Sequence, residues 1–120
     1  MKAAKIVDDY LAIWNERDAD KRRTLIARTW TEEATYVDPV MSGQGHAGID
    51  AMIAGAQAQF PGFRFSALGA PDAHNDRLRF RWTAGPEGGA AIIDGADYAV
   101  LSADGRLASV CGFFDRVPAQ

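Results

Sequence analysis

Cysteine is almost absent: the 120 residues contain only Cys111. No intrachain disulfide can form, and a reducing compartment suits the chain. Histidine is nearly as scarce. His46 and His74 fall in segments expected to be loops, without the paired spacing by which a helix or strand presents metal ligands, so no metal is expected. Basic residues are outnumbered, with 13 Lys and Arg against 16 Asp and Glu, and the net charge is −3. Beyond Lys21-Arg22-Arg23 there is no basic run, and the pI lies near 5.2. A nucleic-acid binder carries a basic face and a basic pI, so that class of partner is set aside. No apolar stretch reaches the length of a signal-peptide core or a membrane span, and a cytoplasmic protein is the expectation. Internal repeats, low-complexity tracts and long linkers are also missing, so residues 1–120 are expected to form one domain.

What is present is an ordinary globular balance, 48% hydrophobic and 24% charged, enough to bury a core without metal or disulfide staples. The first half has helical periodicity and the second half strand periodicity, which predicts an α+β fold. Ile6, Tyr10, Ile13 and Trp14, widened by Val7 and Leu11, predict a helix from about Ala3 to Asn15. Asp18 or Asp20 can cap a second helix that turns Leu25, Ile26 and Trp30 inward and leaves Lys21, Arg22, Arg23 and Arg28 in water. Ala34 to Val37 reads as a short strand ended by Asp38-Pro39. Met41 to Gly48, with three glycines, reads as a loop. A third helix is expected from about Ile49 to Phe60, stopped by Pro61-Gly62.

From Phe63 the period becomes two. Phe63, Phe65 and Ala67 alternate with Arg64 and Ser66; Leu78, Phe80 and Trp82 alternate with Arg77, Arg79 and Arg81. A turn is expected at His74-Asn75-Asp76 and a hairpin connection over 85–89. A long strand from about Ala91 to Leu101 then turns at Asp104-Gly105 into a last strand from Arg106 to Asp115. Successive hairpins predict an antiparallel sheet with helices on one face. Gly95 marks a bulge or bend, and a bent sheet leaves a concave interior suited to a small molecule.

Three residues stand out chemically. Asp38 ends an apolar strand at the expected pocket mouth, where partial desolvation would make it a better proton acceptor; the competing reading is a turn residue bonding nearby amides. Asp97 sits inside the long strand, where aspartate is disfavoured. Buried without a cation it would hold its proton and donate a hydrogen bond; otherwise it faces water or pairs with an arginine. Tyr10 lies on the apolar stripe of the first helix, where its hydroxyl needs a partner. Phe80 and Trp82 are expected in the pocket wall, with Trp14, Phe60 and Phe113 as further aromatic candidates and His46 near the mouth. Cys111 is expected to pack in the core. The Arg77, Arg79, Arg81 stripe is read as the outer face of the sheet, solvated or in a dimer contact. Gly43-Gln44-Gly45 lacks the lysine and setting of a phosphate loop.

The segments Tyr10-Leu-Ala-Ile-Trp-Asn, Ala34-Thr-Tyr-Val-Asp38-Pro39-Val40, Gly45-His-Ala-Gly-Ile49 and Asp104-Gly-Arg-Leu-Ala-Ser-Val-Cys-Gly-Phe-Phe-Asp115 carry a resemblance over nearly the whole chain. It resembles the SnoaL-like and ketosteroid isomerase-like branch of the nuclear transport factor 2-like superfamily. The resemblance implies a cone-shaped α+β barrel, three N-terminal helices on a curved sheet enclosing a pocket for a small apolar molecule, dimerised through the sheet. It also implies cofactor-independent chemistry on a carbonyl compound: Asp38 as the base, with Tyr10 and Asp97 holding the enolate oxygen, a scheme for which ketosteroid isomerase is the worked precedent. Isomerisation and aldol-type cyclisation both fit. Alternatives are a binding or interaction module of the same fold, and hydration or epoxide opening by an aspartate-activated water, which would need an arginine such as Arg79 or Arg81 in the pocket.

Overall fold

The structure is a computed structural model describing residues 2–118. Helix α1 spans Ala3–Asn15 and buries Val7, Tyr10, Leu11, Ile13 and Trp14, the stripe set by its 3.6-residue period. Asp18 caps α2 (Ala19–Thr29), its carboxylate accepting from the Lys21 amide at 3.0 Å. The same bond holds the Asp18 pKa below its ordinary value. Trp30, expected on that helix, instead opens strand β1 (Trp30–Val37) and is fully buried there.

The glycine-rich stretch expected as a loop contains strand β2 (Ser42–Gln44) and the first turn of α3 (Gly45–Gln59). Its glycines answer to contact and backbone shape. Gly45 has φ +70°, and a Cβ on Gly43 would lie 2.9 Å from the Gly48 carbonyl oxygen. Strands β3 (Phe63–Ala67), β4 (Asp72–His74), β5 (Arg77–Pro86), β6 (Ile93–Leu101) and β7 (Leu107–Arg116) complete the chain. The short β4 was not expected; it pairs with β5 across the turn in which Asn75 takes φ 50°.

The sheet order is β2-β1-β7-β6-β5-β3. Strands β5, β6 and β7 are consecutive antiparallel neighbours, but β1 runs parallel to β7. The sheet is therefore mixed, a correction to the all-antiparallel expectation. Hairpin signals report sequence neighbours only, and the partner of β1 lies at the other end of the chain. The sheet curves without closing into a complete barrel. Register shifts between Asp94 and Gly95 and between Val100 and Leu101 help bend it. At Gly95 a side chain would run into the Trp82 indole. Helix α1 packs against β3 and α3 against β1 and β2, on the concave side.

Facing follows the alternation on β5: Leu78, Phe80 and Trp82 are buried and Arg77, Arg79 and Arg81 exposed. Two facings differ from expectation. Cys111 is exposed, between inward Val110 and Gly112; the run Val110 to Phe114 is apolar on both faces, so hydrophobicity alone did not orient it. Arg22, expected in water, is 4% exposed. It binds Asp50 at 2.6 Å, the Glu16 carbonyl at 3.0 Å and the Gln57 amide oxygen at 3.1 Å. The last carbonyls of α1 lack intrahelical donors; Arg22 and Gln57 supply them, Gln57 donating to Trp14 and Glu16. Among the described residues no helix is long and apolar enough to cross a membrane.

Candidate functional site

The site follows from strand register. Val37 pairs with Cys111, so Asp38, the next residue, falls beside Gly112 of β7; Gly112 in turn pairs with Asp97 of β6. Two carboxylates thus flank a residue without a side chain. A Cβ on Gly112 would lie 2.8 Å from Asp97 Oδ1, 3.1 Å from the Tyr36 hydroxyl and 3.3 Å from Asp38 Cβ. The polar groups occupy the space a side chain there would take.

Each carboxylate has a phenol. The Tyr10 hydroxyl donates to Asp97 Oδ2 at 2.7 Å, and the Trp82 indole N–H donates to Asp97 Oδ1 at 3.2 Å. The Tyr36 hydroxyl donates to Asp38 Oδ2 at 2.7 Å. Asp38 Oδ1 accepts from the amides of Val40 and Met41, both at 2.9 Å, so the turn geometry weighed from the sequence is present as well. Asp97 and Tyr10 are almost fully buried, while Asp38 is half-buried and nearer solvent. The Trp14 indole N–H is buried without a hydrogen-bond partner among the described residues.

Burial governs the electrostatics. Loss of water pushes the Asp97 pKa up to about 6; the bonds from Tyr10 and Trp82 oppose that rise, and the negative charge of Asp38 adds to it. Tyr10 is raised well above its ordinary value, first by burial and then by the Asp97 charge; Tyr36 is raised for the same two reasons, with the Asp38 bond contributing. Both phenols are therefore held as proton donors.

These groups stand on the wall of a cavity of about 1040 Å³. The rest of the lining is largely apolar, including Trp14, Met52, Phe60, Phe65, Trp82 and Phe114, and the exposed Val40 and Val117 lie at its opening. The sequence left undecided whether aromatic side chains fill this space; they wall it.

Tyr10, Asp38 and Asp97 are thus brought to one cavity, with Trp14, Phe60 and Trp82 around it. Three other candidates are placed elsewhere. Phe80 is buried behind the wall, edge-on to Tyr10 at 5.1 Å between ring centroids. Phe113 is 53% exposed on the opposite face of the sheet, and its neighbour Phe114 lines the cavity. His46 bonds the Trp30 carbonyl oxygen through Nε2 at 2.9 Å and is not on the wall. Arg79 and Arg81 point outward, Arg79 to Asp72 at 3.0 Å, so neither supplies the arginine that water activation would need. Sequence reading missed Tyr36 and Gly112. Ala34 and Tyr36 are both buried on β1, and a period of two over that strand would have put Tyr36 on the same face as Ala34; nothing local marks Gly112, whose role depends on pairing. Among the described residues no three His, Cys, Asp or Glu side chains converge as metal ligands.

Comparison with known proteins agrees with this architecture. Residues 7–110 match the SnoaL-like domain family. A crystal structure of a candidate isomerase of the SnoaL-like family from Agrobacterium tumefaciens superposes with a TM-score of 0.92 at 42% identity, covering 95% of this chain and 97% of that one. A candidate polyketide cyclase from Sinorhizobium meliloti superposes with a TM-score of 0.70 at 16% identity, over 90% and 93% of the two chains, a likeness of fold alone. A search of curated proteins by sequence finds no match.

Proposed function

We propose that this chain, which belongs to the SnoaL-like domain family, is a cofactor-independent enzyme that removes a proton from the carbon beside the carbonyl of a small, mostly apolar compound. One observation carries the reading: two carboxylates, each bonded by a phenol, stand beside the side-chain-free position Gly112 in an apolar cavity. Asp38, the half-buried carboxylate held in orientation by three donors, is the base. The C–H electrons move toward the carbonyl oxygen, and the enolate is held by Tyr10 together with Asp97. With a pKa near 6, Asp97 still holds its proton in a fraction of molecules at neutral pH. In that form it needs no proton from Tyr10, and the Tyr10 hydroxyl is free to turn to the oxyanion. Tyr36 donates to the base itself and holds its carboxylate in place. Return of the proton from Asp38 to a different carbon completes an isomerisation; attack of the enolate carbon on a second carbonyl of the same molecule, with the Asp38 proton passing to the alkoxide that forms, completes a cyclisation. The SnoaL-like candidate isomerase from Agrobacterium tumefaciens, at 42% identity, favours the first.

Turnover of a panel of cyclic ketones by wild type and Asp38→Asn tests the reading. Loss of a base in such a site costs on the order of 10²-fold or more, and equal rates in the two proteins would sink the proposal. Truncating Tyr10 to Phe removes one oxyanion donor and is expected to cost about 10²–10³-fold in kcat. A second reading, a non-catalytic ligand-binding module, is favoured by the complete turn bonding of Asp38. It expects apolar ligands to bind equally in wild type and Asp38→Asn, with turnover in neither.

We further assign the outer face of the sheet to a homodimer contact. Val37, Cys111 and Tyr98 form one cross-strand row there, and Phe113 meets Tyr98 edge-on at 5.9 Å. The lone, exposed cysteine suits the cytoplasm.

A further inference from the structure

Charge on the cavity wall is one-sided. Asp38 and Asp97 line it, and among the described lining residues there is no lysine, arginine or histidine. The opening is no different, with Val40, Val117 and Pro118 around it. Of the arginines on the neighbouring strands, Arg79 is bonded to Asp72 and Arg116 to Asp94, and Arg64 is exposed and does not line the cavity. An anion entering this space would give up its water and meet like charge across a poorly polarisable interior, and both effects oppose binding. An uncharged ketone meets neither.

We propose that the cavity takes uncharged carbonyl compounds and rejects the same skeleton bearing a carboxylate or phosphate. Keto acids, phosphorylated compounds and coenzyme A thioesters then fall outside its substrate class. The inference rests on the reading of this cavity as the ligand site, but binding reports it independently of turnover. Two unit charges about 6 Å apart at an effective dielectric of about 20 repel by an amount equivalent to roughly a hundredfold in affinity.

The test uses matched flat compounds, 2-acetylnaphthalene and 2-naphthoate, each displacing the neutral dye Nile red from the full-length protein at pH 8. The ketone is expected to displace the dye at a concentration at least tenfold lower than the carboxylate. In the double variant Asp38→Asn, Asp97→Asn the gap should shrink by at least about fivefold, because the like charge is gone and only the cost of dehydration remains, with retained dye binding showing that the cavity is intact; an unchanged gap would overturn the proposal. Displacement by naphthoate at the ketone's concentration would overturn the proposal, as would a failure of the ketone to displace the dye. Should the variant not fold, the wild-type pair of compounds decides alone. Turnover of a keto acid would overturn it while leaving proton abstraction standing; a ketone that binds and is never turned over would do the reverse.

Discussion

At the scale of single residues, the site depends on what position 112 lacks. An added methyl would press on Asp97, Tyr36 and Asp38 together. Gly112→Ala is expected to lose ketone turnover by at least tenfold while costing about 1–3 kcal/mol of stability, the usual range for overpacking. Turnover and denaturant unfolding of the variant measure the two effects; unchanged turnover would show that the polar groups do not need this space. Asp97 makes a second prediction. Its carboxyl ionises near pH 3.9 in the unfolded chain but near 6 in the folded one. Between those values the folded state binds more protons, so this group's contribution to stability is fully present below about pH 4 and is lost as pH rises through about 6. Thermal unfolding of Asp97→Asn from pH 4 to 7 should lack that decline, and an identical slope in wild type would place the titration elsewhere. The sequence made Asp97 legible as an aspartate in an apolar strand. It could not show Gly112, because a glycine in a strand acquires meaning only from the residues paired across it.

Elements were legible where periodicity was strong. Helix α1 lies over the residues its stripe predicted, and the β5 alternation placed Trp82 and the arginines on the correct faces. Reading failed where one residue type serves two ends. The glycines of 43–48 read as loop, yet they allow β2 and the first turn of α3 to approach closely. Arg22 read as a wet cation because arginine usually is one, and no local signal reveals that the end of α1 needs its donors. Breaking that link has a defined cost. Arg22→Met leaves Asp50 with 17% side-chain exposure and without its closest cation, and removes a donor from the end of α1. A loss of about 3–5 kcal/mol is expected, as for a buried pair deprived of one partner, read as a fall in the urea midpoint. A loss under about 1 kcal/mol would mean that Arg23, 3.5 Å from Asp50, takes over.

Across the whole molecule, the two faces of the sheet divide the work: the concave face carries the cavity and the convex face the row Val37, Cys111, Tyr98. If the proposed homodimer forms through this row, wild type should run as a dimer in size-exclusion chromatography and the double variant Tyr98→Asp, Phe113→Asp as a monomer, with the cavity's dye binding retained. A wild-type monomer would remove the dimer from the account. Fold class was the most legible property, since a helical half followed by a strand-rich half admits few packings; the parallel contact of β1 with β7 was the part that local patterns could not reach.

That contact has a consequence for the order in which the molecule is built. Trp30 pairs with Leu107 and Val37 with Cys111, so the strand that positions Tyr36 and Asp38 has no partner in the sheet interior until the last strand is made. Contacts of such sequence separation form late, because the intervening chain must first give up its freedom. In a growing chain β3 can cover α1 and α3 can cover β1, but Tyr36 and Asp38 have no Gly112 beside them until β7 arrives. The cavity is therefore completed at the end of folding, when the first and last strands meet.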